Sequence, residues 1–198
     1  MSDTIIQEPL QEPIKIGYYL TFSALVLAFG CVAGYVLAAV EPTFGESLLT
    51  LFQEMVAAEI MDNEPPMLAL QLFLNNLQAC VIIFIGGALL GIISVAILAF
   101  NGIIIGAILQ ILQKEAGTIV LLAAIIPHGL FELPAVIASG ALGLMLGRAV
   151  RDEFAGTRDA ATEAYRLGRI FVRYIIPFVA VAACIEAFIT PVVLLMVT

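Results

Sequence analysis

No charge interrupts the chain from Ile16 to Val40, a run of 25 residues bounded by Lys15 and Glu41. A helix rises about 1.5 Å per residue, and about 20 apolar residues cross the hydrocarbon of a bilayer. The run therefore predicts a membrane-spanning helix. The remainder of the 198 residues agrees, since 62% of the chain is hydrophobic and only 12% is charged, against about 25% charged in a soluble domain. A soluble globule and a disordered chain are both excluded. A formal net charge of −8 speaks against nucleic acid as a partner. The first partner is the lipid bilayer.

Further spans follow from the same arithmetic. Leu68 to Phe100 is 33 residues without a charge, longer than one perpendicular crossing needs. Its polar start (Gln71, Asn75, Asn76, Gln78) is placed at the interface or against other helices. A third apolar run begins near Leu133 and ends at Arg148, and a last one covers Ile170 to Val197. Between them, Ile103–Leu112 and Ile119–Ile126 are short and separated by Gln113-Lys114-Glu115-Ala116-Gly117. Neither crosses alone, so 101–131 is one interrupted span or a re-entrant pair, inside the bundle or beside water. The expectation is an all-α integral membrane protein with about five transmembrane helices. An acidic tail at 1–15 precedes a single polytopic domain over 16–198. Its spans are expected at about 16–40, 70–100, 102–127 (interrupted), 131–148 and 170–197.

Charge sets the orientation. Six of the eight basic residues, Arg148, Arg151, Arg158, Arg166, Arg169 and Arg173, lie between the last two spans, while Glu41–Pro66 has six acids and no base. The positive-inside rule puts the arginine loop, 148–173, on the cytoplasmic side of the cell membrane. With five crossings Lys15 is also inside, and the acidic loop and C-terminus are outside. That arrangement places Lys114 and Glu115 in the interrupted span, at about 2.5–3.5 kcal/mol per charge near mid-bilayer. A re-entrant pair would give four crossings and move Lys15 outside. The acidic N-terminus lacks a basic signal-peptide start, so the first span is expected to be retained.

Within 41–66, Phe44, Leu48, Leu51, Phe52, Met55 and Ile60 recur at helical spacing among Glu46, Glu54 and Glu59. This predicts an amphipathic helix that caps the bundle or docks another protein. Cys31, Cys80 and Cys184 are far apart in apolar runs and read as small core residues, not a disulfide or zinc set. Four Gly-x-x-x-Gly spacings (Gly30/Gly34, Gly87/Gly91, Gly102/Gly106, Gly143/Gly147), with Ser139 and Gly140, predict a tight bundle, with a homo-oligomer as the lesser reading.

Polar residues are costly in such a chain. His128 and Glu132 lie in Pro127-His128-Gly129-Leu130-Phe131-Glu132-Leu133-Pro134. If the prolines break the chain, Glu132 sits at a helix N-terminus. If the segment is helical throughout, the two share a face. Glu186 is embedded in an apolar run, with Thr190 one turn on and Pro191 unable to bond the carbonyl of Ala187. An intramembrane acid is a functional candidate. Three readings stand: a buried network in which histidine and two acids satisfy one another, a proton- or cation-exchanging centre, and, weakest, a metal held by His128, Glu132 and Glu186. Asn75, Asn76 and Asn101 are a second polar set, expected to bond between helices. No His-Glu-x-x-His spacing, nucleophile elbow or phosphate loop occurs. The chain is expected to be no enzyme and to carry no cofactor.

Phe73-Leu74-Asn75-Asn76, Gly87-x-x-x-Gly91, Asn101-Gly102 with Gly106, the run Pro127 to Ala135, Gly140 to Gly147, and Ile185-Glu186-Ala187-Phe188-Ile189-Thr190-Pro191 follow in this order. Together they resemble the stage II sporulation protein M family over roughly Leu68 to Pro191. The resemblance implies a multipass membrane protein of about five spans. In spore-forming bacteria it implies a scaffold that recruits peptidoglycan-degrading partners during engulfment, while similar proteins also occur in archaea and non-sporulating bacteria. Its motif falls here on His128, Glu132, Glu186, Thr190 and Asn101, without assigning them a chemistry. The expected function is an integral membrane scaffold with protein partners, organised by the polar centre. The alternative is a small proton- or cation-coupled channel or transporter using the same residues.

Overall fold

The structure, a computed structural model, describes residues 16–52 and 64–197. The acidic tail and residues 53–63, with the Met55 and Ile60 part of the expected amphipathic helix, lie outside the described residues. Helix α1 is Ile16–Val40 and α2 is Pro42–Phe52. Helix α3 is Pro65–Ile85, α4 is Ile92–Phe154 and α5 is Ala160–Leu195. There is no strand among the described residues. Four of these helices, all but α2, are long and apolar enough to cross a membrane.

Helix α4 has 63 residues and would reach about 95 Å if straight. It folds back on itself instead. Gly117 has φ 83° and ψ 168°, a left-handed conformation that glycine adopts without a Cβ clash. The two arms run antiparallel, as their contacts show. A Cβ on Gly147 would lie 2.5 Å from the Gly91 nitrogen, one on Gly143 2.5 Å from Ser94 Oγ, and one on Gly140 2.9 Å from Leu98 Cδ2. The bundle thus has five apolar arms: α1, α3, residues 92–116, residues 118–154, and α5.

The span boundaries therefore differ from the expected ones in two places. The charge-free run to Phe100 is divided by a tight turn at 86–91, where Leu90 and Gly91 have positive φ. The 101–131 segment is neither an interrupted span nor a shallow re-entrant dip, but the facing ends of two full-length arms. Lys114 and Glu115 are exposed beside the Gly117 reversal, so the mid-bilayer charge cost does not arise.

Arm direction is read from the ends. Tyr19, early in α1, lies 3.4 Å from Arg148, while Tyr35, near its far end, donates to Gln113 Oε1 at 2.6 Å. Phe84 stacks on Phe171 with ring centroids 5.3 Å apart, and Leu72 packs with Ala183 and Ala187, so α3 and α5 are antiparallel. The start of α1, the 86–91 turn and the arginine segment share one end of the bundle. At that end Asp152 gathers Arg148, Arg151 and Arg158 at 3.4, 3.9 and 3.8 Å. Asp159 caps α5, accepting bonds from the backbone of Ala161 and Thr162 and from the Thr162 hydroxyl. Those bonds from Thr162 hold its carboxyl below the usual aspartate range.

The core is built from Leu27, Ile83, Leu98, Leu142, Leu167 and Val179, and glycines let the backbones close around it. The four small-residue stripes mesh two by two. Gly30 and Gly34 meet the backbone of Ala99, Gly102 and Ile103, while Gly87 and Gly91 meet Gly143 and Gly147. Nothing in lipid rewards merely apolar contact between helices, so such close approach carries the association. A Cβ at Gly106 or Gly87 would run into the carbonyl oxygen of Cys31 or Gly143, and no side chain can move aside to make room. Ser94 adds an interhelical bond, its hydroxyl donating to the Ile83 carbonyl at 2.6 Å.

Candidate functional site

The 118–154 arm is helical through both Pro127 and Pro134. The chain-break reading, with Glu132 at a helix N-terminus, therefore does not hold, and His128 and Glu132 stand one turn apart on a shared face. His128 Nε2 lies 4.0 Å from Glu132 Oε2, with the side chains 17% and 25% exposed. Glu132 is midway along the arm between Gly117 and Arg148, which places it in the middle of the apolar layer.

Helix α5 supplies the third group. Glu186 brings a carboxylate oxygen to the other two residues, and one ligating atom from each of the three lies within 4.8 Å of the others. It sits in a π-helical turn, Ile185–Ile189, two residues before Pro191. A second π turn, Phe171–Ile175, stands in the same relation to Pro177. The cause is shared: each proline lacks the N–H that would bond the carbonyl four residues earlier, at Ala187 or Arg173. The wider turn absorbs the loss and rotates the side chains within it; π turns of this kind recur at functional sites. Thr190 is buried, and its hydroxyl faces the Ile185 carbonyl at 3.4 Å, so it supports the turn rather than Glu186. Phe131 packs on Phe178 nearby, ring centroids 5.9 Å apart.

Of the expected polar centre, His128, Glu132 and Glu186 do converge. The asparagines do not join them by hydrogen bonds. Asn101 donates to Ile97 of its own helix at 2.9 Å, since a carbonyl one turn back is within reach of its short amide. Asn75 is exposed and Asn76 half-buried on α3. The expectation of bonds between helices thus fails for Asn101. Cys80 is fully buried, but Cys184 is exposed and is no core residue. Two features escaped the sequence reading: the Ser94 bridge, whose signal was a hydroxyl beside a glycine stripe, and the outward face of α3, where Asn75 and Gln78 are both exposed.

Two carboxylates and an imidazole at such separation, in a low-dielectric layer, can share a proton or surround a cation. Left ionised and alone, the carboxylates would repel strongly. The Nδ1 of His128 is buried and without a hydrogen-bond partner.

A five-armed apolar bundle closed by glycine stripes, with three titratable groups at mid-depth, defines a polytopic α-helical membrane protein. The model of the family described as Stage II sporulation protein M matches residues 23–191, and the chain belongs to that family. It is also similar to an uncharacterized protein of Methanocaldococcus jannaschii, 29% identical over 145 residues, which is 71% of this chain and 64% of that protein. The match spans less than two thirds of the relative's own length. No solved structure matches.

Proposed function

We propose that the protein is a membrane scaffold that recruits another membrane protein through the outer face of α3. One observation carries this reading. Asn75 lies at the midpoint of α3 and Gln78 less than a turn further, both exposed, in a helix whose apolar window is only 17% buried. Amide side chains facing lipid at that depth lack hydrogen-bond partners, and bonding across to another helix is worth about 0.6–2 kcal/mol each. Exposed Met67, Leu70 and Leu74 extend the surface on which a partner helix would pack. The scaffold role that the family resemblance implies supports the same reading. In this proposal the arginine segment faces the cytoplasm of the cell membrane, by the positive-inside rule, and the protein catalyses no reaction.

The test is purification of the full chain from native membranes in mild detergent, followed by mass spectrometry. Wild type should retain a stoichiometric membrane partner. A doubly substituted chain, Asn75→Leu with Gln78→Leu, should elute as sharply but without it. Recovery of wild type alone as a monomer would overturn the scaffold reading. The convergence of His128, Glu132 and Glu186 favours a second reading, proton- or cation-coupled transport. Flux of protons or cations in liposomes above an empty control would establish that instead.

A further inference from the structure

The geometry points to a metal site: we infer that His128, Glu132 and Glu186 bind one divalent transition-metal ion of the zinc class, joining α4 to α5 inside the membrane. The inference goes beyond the scaffold reading and does not depend on it. The donor set is the first argument. Imidazole nitrogen and carboxylate oxygen are both zinc ligands, and three protein ligands leave a fourth position for water or another ligand. Their ligating atoms already converge within 4.8 Å from two separate helices. A tetrahedral ion at about 2.0–2.2 Å from each donor needs donors about 3.5 Å apart. His128 and Glu132, at 4.0 Å, are already close to that, and rotation of the carboxylates supplies the rest.

Charge is the second argument. When both are ionised the two carboxylates carry two negative charges, and Arg, Lys and Asp partners are absent from their ionic contacts among the described residues; His128 alone faces them. A divalent cation neutralises the pair at the place in the molecule where unbalanced charge is most costly. The imidazole agrees with this placement. Nε2 of His128 faces Glu132 at 4.0 Å without a hydrogen bond among the described residues, and a metal bound there gives that nitrogen its partner, while the buried Nδ1 stays unpaired. Finally, the π turn at Ile185–Ile189 sets the side-chain direction of Glu186, which a regular α-helical turn would rotate away from its present course.

The experiment uses the full chain, untagged, in detergent. It is stripped with chelator, equilibrated with zinc, desalted, and its metal measured by elemental mass spectrometry. Wild type should retain about one zinc per chain, and cobalt in its place should give the visible absorption of a four-coordinate ion. Glu186→Gln and His128→Gln should weaken zinc binding by about tenfold or more, and Glu153→Gln, exposed and about 30 Å along the arm from Glu132, should bind as wild type. Zinc should raise the melting temperature of wild type and leave that of Glu186→Gln unmoved. Wild type that retains no more zinc than magnesium would overturn the site without recourse to any variant. So would variants that elute as folded chains and hold zinc as tightly as wild type.

Discussion

The two halves of the 118–154 arm are one continuous helix with opposite surroundings. From Ala135 to Ala149 most residues are buried and none is exposed, with the Ser23 side chain of α1 pressing on Gly140, the Ile83 carbonyl and Ser94 side chain on Gly143, and the backbone of the 86–91 turn on Gly147. From residue 118 to 134 only Leu121 and Gly129 are buried, and the half-buried side chains include His128 and Glu132. Stability is concentrated where side chains are smallest. Polar chemistry sits where the packing is open enough to let carboxylates turn. A membrane bundle can keep a costly polar group only if some other part of it is held together without that group.

The sharpest way to break this contrast is to overfill the tight half. A valine at Gly143 would place its Cβ 2.6 Å from the Ile83 carbonyl and 2.5 Å from Ser94 Oγ. Gly143→Val should cost about 3 kcal/mol or more, read as a collapse of the melting temperature or of the monodisperse peak in detergent. An intermediate loss is expected at the hinge that folds the two arms together. Nothing lies within 4 Å of a Cβ at Gly117, so Gly117→Ala should lose only conformational energy, about 1–3 kcal/mol, again by thermal melting. The loose half should respond least. In chelator-stripped protein, Glu132→Gln keeps shape and hydrogen-bonding capacity in a side chain that is 25% exposed, and should shift stability by about 1 kcal/mol or less. A collapse there as large as that of Gly143→Val would mean that the polar centre, not the glycine stripes, holds the bundle.

Much of this was legible in the residues. The first span was bounded by Lys15 and Glu41, the four glycine spacings announced close packing, and Glu186 was marked by charge in an apolar run. The shared face of His128 and Glu132 followed from a spacing of four once the helix continued through Pro127 and Pro134. The turns were harder. The 86–91 turn lies inside a run without one charge, and its only marks are Gly86, Gly87 and Gly91, residues equally common inside membrane helices. At 113–117 the opposite problem arose: Lys114 and Glu115 looked like an interruption, because sequence alone does not say that one glycine in a left-handed conformation can turn a helix back. The outward aim of Asn75 depends on which face of α3 the neighbouring helices cover, which is a property of the assembled bundle.

The meshing of Gly143 with Gly87 and of Gly140 with Ser23 also sets a timetable. The most buried segment is on the fourth of five arms, so α1 and α3 enter the bilayer well before the surface they are shaped to fit has been synthesised. At about 5–20 residues per second, the stretch from Ser23 to Gly140 takes on the order of 10 seconds to make. Throughout that interval the young chain displays open grooves floored by bare peptide groups. Those grooves must be shielded by the insertion machinery or by lipid, and a ribosome pause before Ala135 would prolong the period in which a foreign helix can occupy them.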